Sequence, residues 1–97
     1  MSTDKPAFTI GVEEEYLLVD PDTRDLASRP PKGFMERCKE ALGSHVTHEF
    51  LQSQVEVGTG VCRSASEVRD ELIRFRRTIS DIARDCGLRM IAASTHP

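Results

Sequence analysis

Six apolar residues, Val68, Leu72, Phe75, Ile79, Ile82 and Cys86, recur at intervals of 4, 3, 4, 3 and 4. Nothing else in the 97 residues restricts the fold as tightly. An α-helix turns once per 3.6 residues, so this spacing draws one continuous apolar stripe over residues 64–86. Ser64 followed by Glu67 has the form of a capping box, and Gly87 suits the left-handed turn that ends a helix. A stripe of this kind needs an apolar surface to lie on. Leu72 and Ile79 are therefore expected in the core. Arg69, Arg74, Arg76, Arg77 and Arg84 fall outside the stripe, which predicts that Arg76→Ala is close to neutral. Read as a basic surface, these arginines would suit nucleic acid. Equal numbers of acids on the same helix favour a solvated, salt-bridged face instead.

The surface the helix needs is supplied by short extended segments. Residues 8–19 (FTIGVEEEYLLV) are rich in β-branched and aromatic side chains and read as a strand. Asp20-Pro21-Asp22-Thr23 supplies a turn, and a short return strand is expected around Leu26–Ser28. Residues 32–42 place Phe34, Met35, Cys38, Ala41 and Leu42 on one helical face, with Gly43 as a stop. His45–Cys62 reads as one longer extended segment bent at Gly58 and Gly60, and residues 88–93 as a last strand. The order β-β-α-β-α-β predicts an α+β fold, a mostly antiparallel sheet with two helices on one face and the other face open.

Charge and cysteine content remove several functions. Thirteen bases against sixteen acids give a net charge of −3, which offers no electrostatic case for nucleic acid or an anionic membrane as partner. No apolar run reaches the ~18–20 residues of a membrane span, and the polar start is unlike a secretory signal, so the chain reads as soluble and cytoplasmic. Cys38, Cys62 and Cys86 are an odd, widely spaced set among apolar neighbours and read as reduced, structural thiols. His45 and His48, three apart, would point to opposite faces of a strand and form no chelate. Phosphate loops, nucleophile elbows and zinc-protease motifs are absent from the sequence.

The open sheet face is where chemistry collects. Alternation along the first strand puts Phe8, Ile10, Val12, Glu14, Tyr16 and Leu18 on one face and Glu13 with Glu15 on the other. Glu14, set among hydrophobes, requires an arginine or a backbone partner. Glu13 and Glu15 lie ~7 Å apart, near enough to repel each other and to share a divalent cation. In residues 48–57, Gln52, Gln54 and Glu56 share a face opposite Leu51, Val55 and Val57, while Glu49 falls with the apolar set unless a bulge shifts it. If the two strands are neighbours, Glu13, Glu15, Gln52, Gln54 and Glu56 form one patch. Hard oxygen ligands of this kind suit Mg²⁺ or Mn²⁺ rather than zinc. The alternative is a polar sheet face bathed in water, in a small non-catalytic module that dimerises through that face.

Three blocks, FTIGVEEEY (8–16), QVEVGTGVC (54–62) and STHP (94–97), resemble in order the opening of the carboxylate–amine ligases, the type 2 group of the glutamate–cysteine ligase family. The resemblance covers nearly the whole chain. It implies that residues 1–97 are the N-terminal segment of a larger, glutamine-synthetase-like catalytic domain. It also implies ATP-dependent formation of an amide through an acyl phosphate, with glutamate, an amine such as cysteine, and ATP as small-molecule substrates, in an enzyme that can be a homo-oligomer. Carried over by position, Glu13, Glu15 and Glu56 are the catalytic, metal-binding acids, with Glu49 a further metal ligand. Gln54 and His96 fall to the nucleotide. Relatives often show Gly-Thr-His-Pro where this chain has Ser94-Thr95-His96-Pro97, a change expected to alter a turn and not the chemistry. The groups that would clamp the ATP phosphates are not among these residues.

Overall fold

A computed structural model describes residues 9–27, 33–48 and 53–96, without the side chains of His48 and His96. It contains strand β1 (Glu13–Val19), helix α1 (Phe34–Leu42) running into a 3-10 turn (Gly43–His45), strands β2 (Val46–His48) and β3 (Gln54–Gly58), helix α2 (Ala65–Asp85) and strand β4 (Arg89–His96). The four strands form one antiparallel sheet in the order β2-β3-β1-β4. The fold is α+β with two helices, as the sequence pattern requires.

The elements form where local chemistry allows and stop where it does not. The Ser64 hydroxyl accepts from the Glu67 backbone N–H at 3.1 Å and opens α2. The Glu67 carboxylate reaches one residue further back than a standard capping box, accepting from the Arg63 N–H. At the other end Gly87 has φ 79°, Leu88 N–H donates to the Ala83 carbonyl, and Gly87 N–H donates to that of Arg84. This is a complete Schellman closure, with Leu88 buried beside the helix it ends.

One core lies between the sheet and the two helices. Tyr16 and Leu18 of β1, Val55 and Val57 of β3 and Val46 of β2 meet Phe34, Cys38 and Leu42 of α1 and Phe75, Ile79, Ile82 and Ala83 of α2. The expected stripe on α2 is present, although Leu72 and Cys86 are only partly buried. On α1, Ala41 is exposed and not part of the packed face. Burying these side chains drives the helices onto the sheet, at about 25 cal/mol per Å² of apolar surface removed from water.

Two expectations are corrected by the strand pattern. Of the return strand expected at Leu26–Ser28, the described residues show a single bridge, Val19 with Leu26, beside which Ala27 N–H donates to the Leu18 carbonyl at 2.9 Å; Ser28 lies outside the described residues. The Asp20 carboxylate accepts from the N–H groups of Asp22 and Thr23 at 2.8 and 3.1 Å and so closes the turn that leads into the bridge. The extended segment 45–62 is a hairpin and not one strand: β2 folds back on β3, pairing Val46 with Val57 and His48 with Val55. Residues 49–52, with Glu49 and Gln52, lie outside the described residues.

His45 anchors that hairpin. Its Nδ1 is 2.7 Å from the Gly58 carbonyl oxygen, which can only accept, so Nδ1 carries the proton. The ring also sits 5.0 Å from that of Phe75.

Candidate active site

The three sequence blocks 8–16, 54–62 and 94–97 are far apart in the chain and adjacent in the sheet. β1 is central, with β3 on one side and β4 on the other. The pairing continues beyond the strands. Thr59 N–H donates to the Val12 carbonyl at 2.9 Å while Val12 N–H donates to the Thr59 hydroxyl at 3.1 Å, and Ile10 and Cys62 exchange a reciprocal backbone pair at 2.8 Å each. Two blocks are thus direct antiparallel neighbours.

Parity within β1 separates its acids as the alternation predicts. Glu14, Tyr16 and Leu18 are fully buried beneath the helices, while Glu13 is exposed and Glu15 half-buried on the opposite face. Glu15 is paired with Glu56 of β3, and the Gln54 amide donates to the Glu15 carboxylate at 3.3 Å. Side chains directly opposite in an antiparallel pair stand ~4.5–5.5 Å apart at Cβ, so Glu15 and Glu56 form a like-charge pair on one face. Glu13 lies across from Gly58. On the other flank of β1, Ser94 is in register with Glu15 and His96 with Glu13.

Glu13, Glu15, Gln54 and Glu56 are therefore brought to the face turned away from the helices, with the His96 position alongside. Glu49 lies outside the described residues. Among the described residues no group of three or more His, Cys, Asp or Glu is gathered as a metal site requires. In chemistry the set fits a hard cation, since every donor is a carboxylate or amide oxygen.

Sequence reasoning assigned Arg76 wrongly. It is not an inert outer-face residue: its guanidinium grips the Glu14 carboxylate through two donors, Nε to Oε1 at 2.9 Å and Nη2 to Oε2. Position 76 is four residues after Leu72 and three before Ile79, so it borders the buried stripe, and a long side chain crosses that border. Tyr16 Oη donates to Oε1 and Thr95 Oγ1 to Oε2, both at 2.8 Å, so both carboxylate oxygens are fully engaged. The need for an arginine partner was readable from parity; which arginine was not. Burial alone would raise the Glu14 pKa, but the bonds from Arg76, Tyr16 and Thr95 and the charge of Arg76 outweigh it and hold it below the ordinary 4.5. Burial beside that carboxylate pushes the Tyr16 hydroxyl well above its usual value, so it stays a donor.

The remaining arginines on α2 behave as a charged exterior. Arg74 pairs with Glu71 at 3.0 Å and lies over the Phe75 ring, and Arg37 of α1 pairs with Asp85 at 2.9 Å. The three cysteines are free thiols, with Cys38 and Cys62 buried. Among the described residues no helix is long and apolar enough to cross a membrane.

Comparison with known proteins gives the same answer as the three blocks. The family described as Glutamate-cysteine ligase family 2 (GCS2) matches residues 9–97. A protein of Rhodospirillum rubrum is 52% identical over 97 residues, covering 96% of this chain and 25% of that protein. One from Jannaschia sp. is 51% identical over 90 residues, covering 93% of this chain and 24% of its own length. A Solibacter usitatus protein is 44% identical over 97 residues, covering 100% of this chain and 25% of its own. All three bear the provisional name glutamate–cysteine ligase 2. The chain thus spans about a quarter of the length of the curated relatives it matches. With the family match running through all three sheet blocks, the chain belongs to glutamate–cysteine ligase family 2.

Proposed function

We propose that this chain is the N-terminal, acidic part of the active site of an ATP-dependent carboxylate–amine ligase with a glutamine-synthetase-like catalytic domain. The reaction joins the γ-carboxyl of glutamate to the amino group of an amine such as cysteine. The observation that carries this reading is the meeting of three distant blocks around β1, with Glu13, Glu15 and Glu56 on the face the helices leave open.

In the proposed chemistry a glutamate carboxylate oxygen attacks the γ-phosphorus of ATP, and ADP leaves with the electron pair of the broken P–O bond. The amine nitrogen then attacks the acyl carbon, phosphate departs, and the nitrogen loses a proton. Triphosphate and carboxylates repel each other, so an acidic surface suits this reaction only with divalent cations between them. Glu13, Glu15, Glu56 and Glu49 are the residues that would hold Mg²⁺ or Mn²⁺, which when bound offsets the phosphate charge. The chain's own contribution is positional. The sheet fixes Glu15 against Glu56, Gln54 orients the Glu15 carboxylate, and Gln54 with the His96 position flanks the acids where a nucleotide would lie.

The test replaces Glu13, Glu15 and Glu56 one at a time with glutamine in the full-length protein. Glutamine keeps shape and polarity and removes the charge, so ADP release and amide formation should fall about 10²-fold or more across a Mg²⁺ titration. The melting temperature of Glu13→Gln should stay level or rise, because a charge leaves a like-charged cluster. Wild-type turnover in all three variants would remove these carboxylates from the mechanism.

A further inference from the structure

β4 carries a bulge where it passes the acids. Leu17 pairs with Ile91 and Tyr16 with Ala92, but Glu15 pairs with Ser94, so Ala93 is the inserted residue. A ladder without the bulge would continue the Leu17–Ile91 register. It would set Glu15 against Ala93, Glu14 against Ser94 and Glu13 against Thr95. A slip of one residue reverses which face each side chain takes. In that register Ser94 would turn under the helices, and Ala93 and Thr95 would stand beside the two open-face acids.

What favours the bulged register is on the helix side of the sheet. Glu14 is in register with Thr95 and accepts its hydroxyl at 2.8 Å. The carboxylate cannot swing toward another partner, because Arg76 holds both its oxygens and Tyr16 a third direction. Glu14 is buried away from the open face, yet it lies between Glu13 and Glu15, and Thr95 lies between Ser94 and His96.

We propose that Glu14, clamped by Arg76, is a positioning residue that locks the bulged register of β4 through Thr95, and so presents Ser94 and the His96 position to Glu15 and Glu13. The value of that presentation for ligation rests on the ligase reading above; the register itself does not. Removing the Thr95 hydroxyl therefore removes the bond that favours the bulged register over the slipped one.

The experiment reads register directly, by oxidative cross-linking and peptide mapping of the full-length protein. Directly opposed residues have Cα atoms ~4.5–5.5 Å apart, within disulfide range. The pair Glu15→Cys with Ser94→Cys is compared with Glu15→Cys with Ala93→Cys, each with Thr95 intact and with Thr95→Val or Thr95→Ser. With a hydroxyl kept at position 95, by the native threonine or by Thr95→Ser, the 15–94 bridge should form at least about tenfold faster than the 15–93 bridge. Thr95→Val should erase or invert that preference. Thr95 is exposed overall, so the valine is tolerated by the fold. An unchanged preference in Thr95→Val overturns the lock, whatever the glutamine variants of Glu13, Glu15 and Glu56 show. Unchanged ligation in those glutamine variants overturns the ligase reading and leaves the register result standing.

Discussion

Replacing Arg76 with alanine is the sharpest stability test, because the helical pattern and the three-dimensional contacts predict opposite results. By position the side chain borders solvent, and exposed substitutions usually stay within about ±0.5 kcal/mol. By contact it holds a carboxylate whose side chain is 0% exposed, while its own is 46% exposed. Removing one partner of a fully buried ion pair costs about 3–5 kcal/mol. Two features reduce that here: the arginine is half in water, and Glu14 keeps the hydroxyls of Tyr16 and Thr95. A loss of about 2–3 kcal/mol at pH 7 follows, a large part of the roughly 5–15 kcal/mol typical of a domain.

The pH dependence identifies the cause. In the parent chain the Glu14 pKa is depressed below 4.5, so its stabilisation is present above the unfolded value and is lost as pH falls through the folded one. Without Arg76, burial prevails and the folded pKa rises. The charged form then destabilises at neutral pH, and protonation relieves it as pH falls. Urea unfolding followed by circular dichroism should therefore show the Arg76→Ala deficit shrinking between pH 7 and pH values below 4.5. Glu14→Gln should lower the cost of Arg76→Ala to less than about 1 kcal/mol in a double-mutant cycle. A deficit under about 0.5 kcal/mol at pH 7, or one independent of pH, would refute the reasoning.

Ile79→Ala should cost about 2–4 kcal/mol in the same unfolding assay, and Leu72→Ala distinctly less, because Ile79 is fully buried and Leu72 only partly so. The Cys38 thiol is pushed up to about 11, first by burial and then by the neighbouring Cys86, so at pH 8 it should react with iodoacetamide far more slowly than Cys86, until urea equalises the two.

Much of this fold is written in periodicity, and the misses have identifiable causes. The 4-3-4-3-4 spacing of α2 and the two-residue alternation of β1 depend only on local geometry, and both match the structure in element and in face. The split of 45–62 into β2 and β3 depends on pairing between residues such as Val46 and Val57, which two-residue alternation along the chain does not register. The return strand is present among the described residues only as the Val19–Leu26 bridge and the bond from Ala27 to Leu18. At the site, parity alone put Glu13 and Glu15 opposite Glu14, and two-residue alternation put Glu56 with Gln54. The bulge at Ala93 leaves no mark in composition. Arg76 went astray because a wheel drawn from apolar residues treats every charge as solvent-facing, whereas a guanidinium on a flexible stem can border the stripe and still reach across it.

The central place of β1 also has a consequence for how the protein is made. β1 is synthesised first among the strands, yet both its neighbours come later, and Glu13 meets His96 at the far end of the chain. At about 5–20 residues per second, the strand waits on the order of 4–16 s on the ribosome for β4. Until β3 follows, Tyr16, Leu17, Leu18 and Val19 form an unpaired apolar run preceded by three consecutive acids, and the edge that receives β4 stays open for the whole interval. Charges flanking such a run discourage it from pairing with other nascent chains. The run Glu13-Glu14-Glu15 thus acts as a gatekeeper before there is any sheet for it to divide into two faces.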